Sequence, residues 1–271
     1  MLVLGFHRIE PPTGLEITRL SPVRFDRLLA MIAALGPEVD NPAETSRGAH
    51  CILLTFDDGF LSVAKTALPA LAQRGWPALV FLIAGSVGKT DDWDVSLLGP
   101  KRTLMSWNDV KQWSGRGIEF GSHTVTHADL TALSDRALNR ELKDSKTMIE
   151  DQLSQAVRYL AYPYGRHDDR VRAAAEQAGY QAAFAAGFGL KGDPFAIPRA
   201  MIHGLTSLRE FRRILKQAVP EGDHEQGHRG AWRSRFFQTM NAGSATVGNW
   251  RRTRRNRSRS LGNKRTDGAI S

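Results

Sequence analysis

Two neighbouring aspartates, Asp57 and Asp58, and two histidines four residues apart, His123 and His127, are the residues whose types and spacing could do chemistry. Adjacent carboxylates repel, and one device that relieves the repulsion is a bound cation. Their side chains diverge, so one can ligate a metal while the other faces a substrate. Two imidazoles and one carboxylate make a three-ligand site with an open fourth position, as in hydrolytic zinc centres. Zinc lowers the pKa of its bound water to about 7, and the spare carboxylate is left to act as a general base. The reaction such a set would perform is hydrolysis of an amide or an ester. A His-x-x-x-His pair alone is a weak signal, and its spacing places both rings on one face if the segment is a helical turn. Asp58-Gly59 also fits a hairpin turn. The following segment, however, reads as a helix and not as a returning strand.

Something must position these groups, and the surrounding pattern is repetitive. Apolar runs read as strands at Leu2–Phe6, Cys51–Phe56, Ala78–Ile83, Ile118–Gly121, Arg158–Ala161, Tyr180–Ala185 and Ile197–Ile202. Helices are expected at 22–35, 61–74, 107–113, 135–153, 168–178 and 208–217. Ser21-Pro22 opens the first helix, Pro69 is placed to kink the second, and Ser207-Leu208-Arg209-Glu210 opens the last with a capping-box pattern. Repeated strand-then-helix units imply parallel strands joined by crossover helices. Seven units suit a (β/α) barrel slightly smaller than the eight-fold one, with a doubly wound open sheet as the alternative. In both, sites gather at the carboxyl ends of the strands. His7, Asp57, Asp58, His123, His127, Tyr164, Arg199 and His203 all fall at or near such ends.

The formal charge of +9 suggests nucleic acid at first, but residues 221–271 hold 11 Lys and Arg against 4 Asp and Glu. The rest of the chain is nearly neutral, which speaks against a specific nucleic-acid role. Two domains are expected: a catalytic one over 1–218 and a basic, disordered tail over 219–271. Residues 251–265 carry eight Lys or Arg and no acid, so the tail reads as a solvated segment or as a contact for an anionic polymer or membrane surface. The single cysteine, Cys51, sits in an apolar run and reads as core. The apolar run after Met1 is too short for a signal peptide or a membrane span. As written the chain therefore reads as cytoplasmic, unless its start lies upstream.

Thr55-Phe56-Asp57-Asp58-Gly59, Ser122-His123-Thr124-Val125-Thr126-His127 and Tyr162-Pro163-Tyr164-Gly165 resemble the three leading motifs of the polysaccharide deacetylases, the NodB-homology group of carbohydrate esterases. The resemblance covers roughly residues 1–215 and implies a distorted seven-stranded barrel. It implies Asp57 as the general base, and Asp58, His123 and His127 as ligands of one divalent metal. That metal is expected to be Zn²⁺, with Ni²⁺, Co²⁺ or Mn²⁺ as alternatives. It also implies that the Tyr164 backbone N–H, set between Pro163 and Gly165, helps to bind the oxyanion. The implied substrate is an N-acetylated (or O-acetylated) sugar polymer or oligosaccharide. Trp93, Trp107 and Trp113 could line a glycan groove, although Trp113 reads better as core.

The chain departs from that pattern in three ways. Ala161 stands where the third motif often carries an Arg that orients the base, and Arg199 is the candidate substitute, its other reading being a surface salt bridge. For the general acid, Leu4-Gly5-Phe6-His7 matches a Leu-x-His pattern better than Met201-Ile202-His203 does, as in a permuted branch of the family. His7 is preferred over His203, each having a buried structural role as its alternative. Third, many members carry a signal peptide. Two other function classes stay open: a different metal hydrolase on a similar barrel, such as an amidohydrolase or phosphoesterase, and an inactive saccharide-binding relative.

Overall fold

The structure is a computed structural model and describes residues 1–11, 18–40, 51–90, 102–187 and 192–218. In strand β1 (Leu2–Phe6), Val3 to Phe6 are buried on both faces, and such a strand needs cover on every side. It pairs in parallel with β2 (Cys51–Phe56), from Leu2↔Ile52 to Phe6↔Phe56. On its other edge it pairs in parallel with β7 (Ile197–Met201), at Leu4↔Ala200 and Gly5↔Met201. The ring continues from β2 through β3 (Ala78–Leu82), β4 (Ile118–Ser122), β5 (Tyr159–Ala161) and β6 (Ala182–Ala186) to β7. Seven parallel strands thus close a barrel, and because β1 joins both ends the open-sheet alternative is excluded. Among the described residues, three two-residue strands lie outside the ring. Arg8–Ile9 pairs with Arg19–Leu20, and Glu38–Val39 adds to the start of β2.

The two-residue period of a strand decides what faces the barrel axis. Val3, Leu53, Leu79, Phe81, Tyr159, Ala161 and Phe184 form one buried cluster, with Ile197 packed against it. Their alternates, such as Leu4, Ile52, Leu54, Val80, Leu160 and Ala183, join the larger core beneath the helices. Continuing the inner phase past the apolar plug leads from Leu53 to Thr55 and Asp57, from Val3 to Gly5 and His7, and from Ile197 to Arg199 and His203. The same parity that fills the barrel therefore delivers the polar residues to its carboxyl-end mouth.

Helices α1 (Pro22–Leu35), α2 (Leu68–Ala72), α3 (Trp107–Trp113), α4 (Asp135–Leu153), α5 (Asp169–Gln177) and α6 (Leu208–Leu215) surround the strands. Side chains of Ser21, Ser106, Ser134, Asp168 and Ser207 cap the N-termini of all but α2 as acceptors. The expected kink at Pro69 takes the form of a π-helical turn over Val63–Ala67, closed by the Leu68 N–H to the Val63 carbonyl. Widening this turn gives room to a ring that would otherwise press on the preceding turn. Strand β6 begins two residues later than expected, because Tyr180 is buried with its hydroxyl donating to the Leu142 carbonyl at 2.9 Å. Cys51 is buried, and Trp107 and Trp113 pack on the core. Trp93 and the expected tail 219–271 lie outside the described residues. No helix among the described residues is long and apolar enough to cross a membrane.

Candidate active site

Asp57 follows β2, its backbone N–H donating to the Phe6 carbonyl at 2.9 Å. Its carboxylate is gripped by Arg199 at both oxygens, Nη1 to Oδ1 at 2.7 Å and Nη2 to Oδ2 at 2.8 Å. Arg199 is only 1% exposed. The strand register sets its Cα level with Val3 and Leu53, two inner positions below Asp57, so the side chain rises along the barrel axis. On the way its Nε donates to the Ala185 carbonyl and its Nη1 to the Thr55 hydroxyl, and the guanidinium lies 5.3 Å from the Phe81 ring centroid. Burial alone would raise the Asp57 carboxyl, but the Arg199 charge, with His123 and His7, outweighs it and holds the carboxyl far below its ordinary range. A carboxylate has about four lone-pair sites, so the bidentate grip orients Asp57 and still leaves it able to accept a proton. The surface salt-bridge reading of Arg199 is thereby excluded.

Asp58 turns away at φ 71°, followed by Gly59 at φ 72°. The Asp-Gly turn read in the sequence is real, but the chain passes from it into the helical stretch and forms no hairpin. Asp58 Oδ1 lies 3.5 Å from His123 Nε2 and 3.6 Å from His127 Nε2. All three ligand atoms fall within 4.8 Å of one another, and all three residues are buried. These separations are long for hydrogen bonds. They fit donors around a shared tetrahedral ion, which at about 2.0–2.2 Å each would sit roughly 3.3–3.6 Å apart. The tautomer of His123 agrees. Its Nδ1 lies 2.7 Å from the Ala161 carbonyl, so Nδ1 carries the proton and the Nε2 lone pair faces Asp58, the usual support for a metal-bound imidazole. The donor set fits a divalent metal ion.

The segment joining the two histidines is not a helical turn. Thr124 and His127 have φ of 69° and 56°, in the left-handed region that costs a non-glycine residue about 1–2 kcal/mol. The two rings meet, centroids 4.9 Å apart, through this turn and not through helical spacing. Of the five non-glycine residues with positive φ among the described residues, four (Asp58, Thr124, His127 and Tyr164) belong to the site.

Two further histidines face Asp57. His7 and His203 lie with ring centroids 6.0 Å apart, across the β1–β7 seam that brings the chain ends of the barrel together. Burial lowers both, His7 to about 3, where Asp57 opposes the fall while His203, Arg199 and His123 add to it, and His203 to about 4. His7 is half-buried, whereas His203 is 4% exposed. Tyr164 sits in a tight turn at φ 60° with its ring against His127, centroids 4.6 Å apart. Pro163 is buried beside it. Gly165 has φ 68°, and a Cβ there would stand 2.5 Å from the Ala186 nitrogen.

The structure thus gathers Asp57, Asp58, His123, His127, His7, His203, Arg199 and the Tyr164 turn at one rim. Sequence reasoning missed Thr55 as an Arg199 partner, the Ala161 carbonyl as the orienter of His123, and Glu141. Glu141 accepts the N–H groups of Val125 and Thr126, each at 2.9 Å, and the Thr126 hydroxyl. A lone acid within a helix carries no sequence signal for such a role.

Residues 44–183 match the family model described as polysaccharide deacetylase. The chain is 30% identical over 187 residues to YxkH of Bacillus subtilis, described as a polysaccharide deacetylase, covering 66% of this chain and 62% of that protein. It is 31% identical over 137 residues to the chitooligosaccharide deacetylase of Sinorhizobium fredii, covering 50% of this chain and 56% of that one. The chain therefore spans only 62% and 56% of the length of these curated relatives. Among solved structures, the Streptococcus pyogenes deacetylase PplD in complex with acetate superposes with a TM-score of 0.69 at 22% identity, over 79% of this chain and 97% of that one. That likeness is one of fold.

Proposed function

We propose a function from one premise: the chain belongs to the polysaccharide deacetylase family, whose model matches residues 44–183, more than half of its length. The activity proposed is hydrolysis of the N-acetyl group of an N-acetylated saccharide, releasing acetate and a free amine. The observation that carries it is the placing of an ionised, Arg-gripped Asp57 beside the Asp58–His123–His127 ligand set. Zn²⁺ is the proposed metal, since two imidazoles and one carboxylate, the three ligands that converge among the described residues, suit it. When bound, it would supply Lewis acidity toward the acetyl carbonyl oxygen.

The chain's own residues would do the rest. Asp57 would take a proton from the water that attacks the acetyl carbon. The Tyr164 backbone N–H would donate to the carbonyl oxygen as negative charge builds on it. The C–N bond then breaks and the nitrogen needs a proton. With pKa values lowered to about 3 and 4, His7 and His203 are neutral at rest near pH 7. The acid step therefore uses a proton that arrives during the reaction, and the one Asp57 removes from water is available. Both histidines feel the Asp57 charge, and His7, the less buried of the two, would carry it to the leaving nitrogen. Arg199 supplies a cation to Asp57 despite Ala161, which supports the active reading over the inactive one.

The test is acetate release from N-acetylglucosamine oligomers by the metal-loaded chain, beside phosphate release from phosphate esters. Acetate release is expected, and an Asp57→Asn variant that keeps its metal should lose it. Failure of the loaded wild type on every N-acetylated saccharide would overturn the proposal, and retained activity in the variant would overturn the assignment of the base.

A further inference from the structure

The backbone N–H groups of residues 123–127 each find a partner, and none of the five is an i→i−4 helical carbonyl. His123 donates to the Leu82 carbonyl at 2.7 Å. Thr124 donates to the Ser122 hydroxyl at 3.1 Å, and His127 to the Thr124 hydroxyl at 3.0 Å. The remaining two, Val125 and Thr126, both donate to one carboxylate oxygen of Glu141, while the Thr126 hydroxyl donates to the other. Glu141 is the only acid among these acceptors. One turn further along α4, Ser145 receives the Ser122 hydroxyl at 2.8 Å. One face of α4 therefore holds the chain on both sides of the left-handed Thr124. The local Ser122 and Thr124 hydroxyls serve the ends of the segment, but its middle, Val125 and Thr126, is held by Glu141. In this shape, with Thr124 and His127 both left-handed, His127 lies 3.6 Å from the Asp58 carboxylate.

We infer that Glu141 is a positioning residue for the metal centre: it touches no ligand atom, yet it fixes the turn that sets His127 against Asp58 and His123, so metal affinity depends on it. The inference rests on the reading of Asp58, His123 and His127 as metal ligands. Supporting groups of this kind typically change affinity by about 10–100-fold when removed.

The experiment measures Zn²⁺ affinity of the full chain by competition with a chromophoric chelator, with apo-protein melting recorded beside it. Glu141→Ala is expected to weaken Zn²⁺ binding about tenfold or more. Glu141→Gln, which keeps an oxygen for the two backbone donors, is expected to recover most of the loss. Glu150→Ala is the control for simple loss of stability. Glu150 lies on the same helix, where it accepts the Val157 N–H at 2.9 Å and pairs with Lys146 at 2.8 Å. Its removal should lower melting without changing affinity. If Glu141→Ala does not fold, Glu141→Asp, one methylene short of its donors, is expected to show the loss. Wild-type affinity in a folded Ala or Asp variant, or an equal loss in Glu150→Ala, overturns this inference alone. A wild-type chain that binds no Zn²⁺ overturns the ligand reading and this inference with it.

Discussion

Arg199 reaches Asp57 from the far side of a strand seam, donating Nη1 to Oδ1 at 2.7 Å and Nη2 to Oδ2 at 2.8 Å. The two residues stand 142 positions apart in the chain. They meet because β7 closes the barrel onto β1, and β1 in turn pairs with β2. The arrangement makes the charge state of a buried carboxylate the property of a residue rooted lower in the barrel.

Replacing Arg199 with Ala is therefore expected to act on the pH profile as well as on rate. Without the guanidinium, burial dominates and lifts the Asp57 carboxyl, since burial is the largest influence opposing Arg199. The acid limb of kcat/KM should move to higher pH, and activity at neutral pH should fall by about 100-fold or more, the scale set by losing a general base's ionised form. Stability should drop by about 3–5 kcal/mol, because one partner of a buried pair is left alone. Arg199→Lys, which keeps a charge but not the two-pronged grip, should lie between. An unshifted acid limb in Arg199→Ala would show that Asp57 is not the group whose ionisation limits the rate.

Stability of the metal-free chain should fall on mild acidification. His7 and His203 have folded pKa values of about 3 and 4 against an ordinary 6.5. Between those values the unfolded chain binds more protons, so their contribution is complete above about pH 6.5 and is lost as pH falls toward 4 and below. Each group adds a slope of up to about 1.4 kcal/mol per pH unit in that window. Asp57, also lowered, contributes above its ordinary value of 3.8 and extends the loss downward. Urea midpoints from pH 7 to 4 would check this, and His203→Gln should flatten the curve by less than half, because burial lowers His123 and His167 as well. Equal slopes in both proteins would place the linkage elsewhere.

Metal removal gives a third expectation. The Asp58, His123 and His127 donors converge only in the folded chain, so a bound ion favours that state by about 2.7 kcal/mol at 100 times its dissociation constant. Chelation should lower Tm, and Zn²⁺ should restore it in the wild type but not in a His127→Ala variant. An equal Tm rise in that variant would point to ions bound somewhere else.

The barrel was legible because its strands are short apolar runs whose alternate residues need cover on both faces, and because helix caps such as Ser21, Ser134 and Ser207 stand where the sequence marks them. The site was legible at Asp57, Asp58, His123 and His127 because the residue types themselves carry the chemistry. What escaped was whatever depends on contacts between distant segments. The His123–His127 turn looked helical by spacing, yet its N–H groups are claimed by Glu141, Thr124 and Ser122. Arg199 could be named as a candidate, but only barrel closure shows it buried against Asp57. The use of the Ala161 carbonyl by His123 leaves no trace in side-chain type, since any residue there offers the same oxygen.

Two glycines with nearly the same backbone angle separate conformational cost from crowding. Gly36, at the end of α1, has φ 71° and open space around a would-be Cβ. Gly165, after Tyr164, has φ 68°, but its Cβ would stand 2.5 Å from the Ala186 nitrogen and 2.9 Å from the Ala186 Cα. Gly36→Ala should therefore cost only the left-handed penalty of about 1 kcal/mol. Gly165→Ala carries the same penalty and must also push the Tyr164 turn away from β6, since backbone atoms cannot swing aside as a side chain can. It should destabilise by at least about 2 kcal/mol. It should also lower kcat more than KM rises, because the displaced Tyr164 N–H would act on the transition state and not on bound substrate. Matched urea melts and steady-state kinetics on the two variants read both effects. Equal destabilisation by the two would mean that β6 gives way without cost, and a wild-type kcat in Gly165→Ala would remove the Tyr164 turn from the reaction.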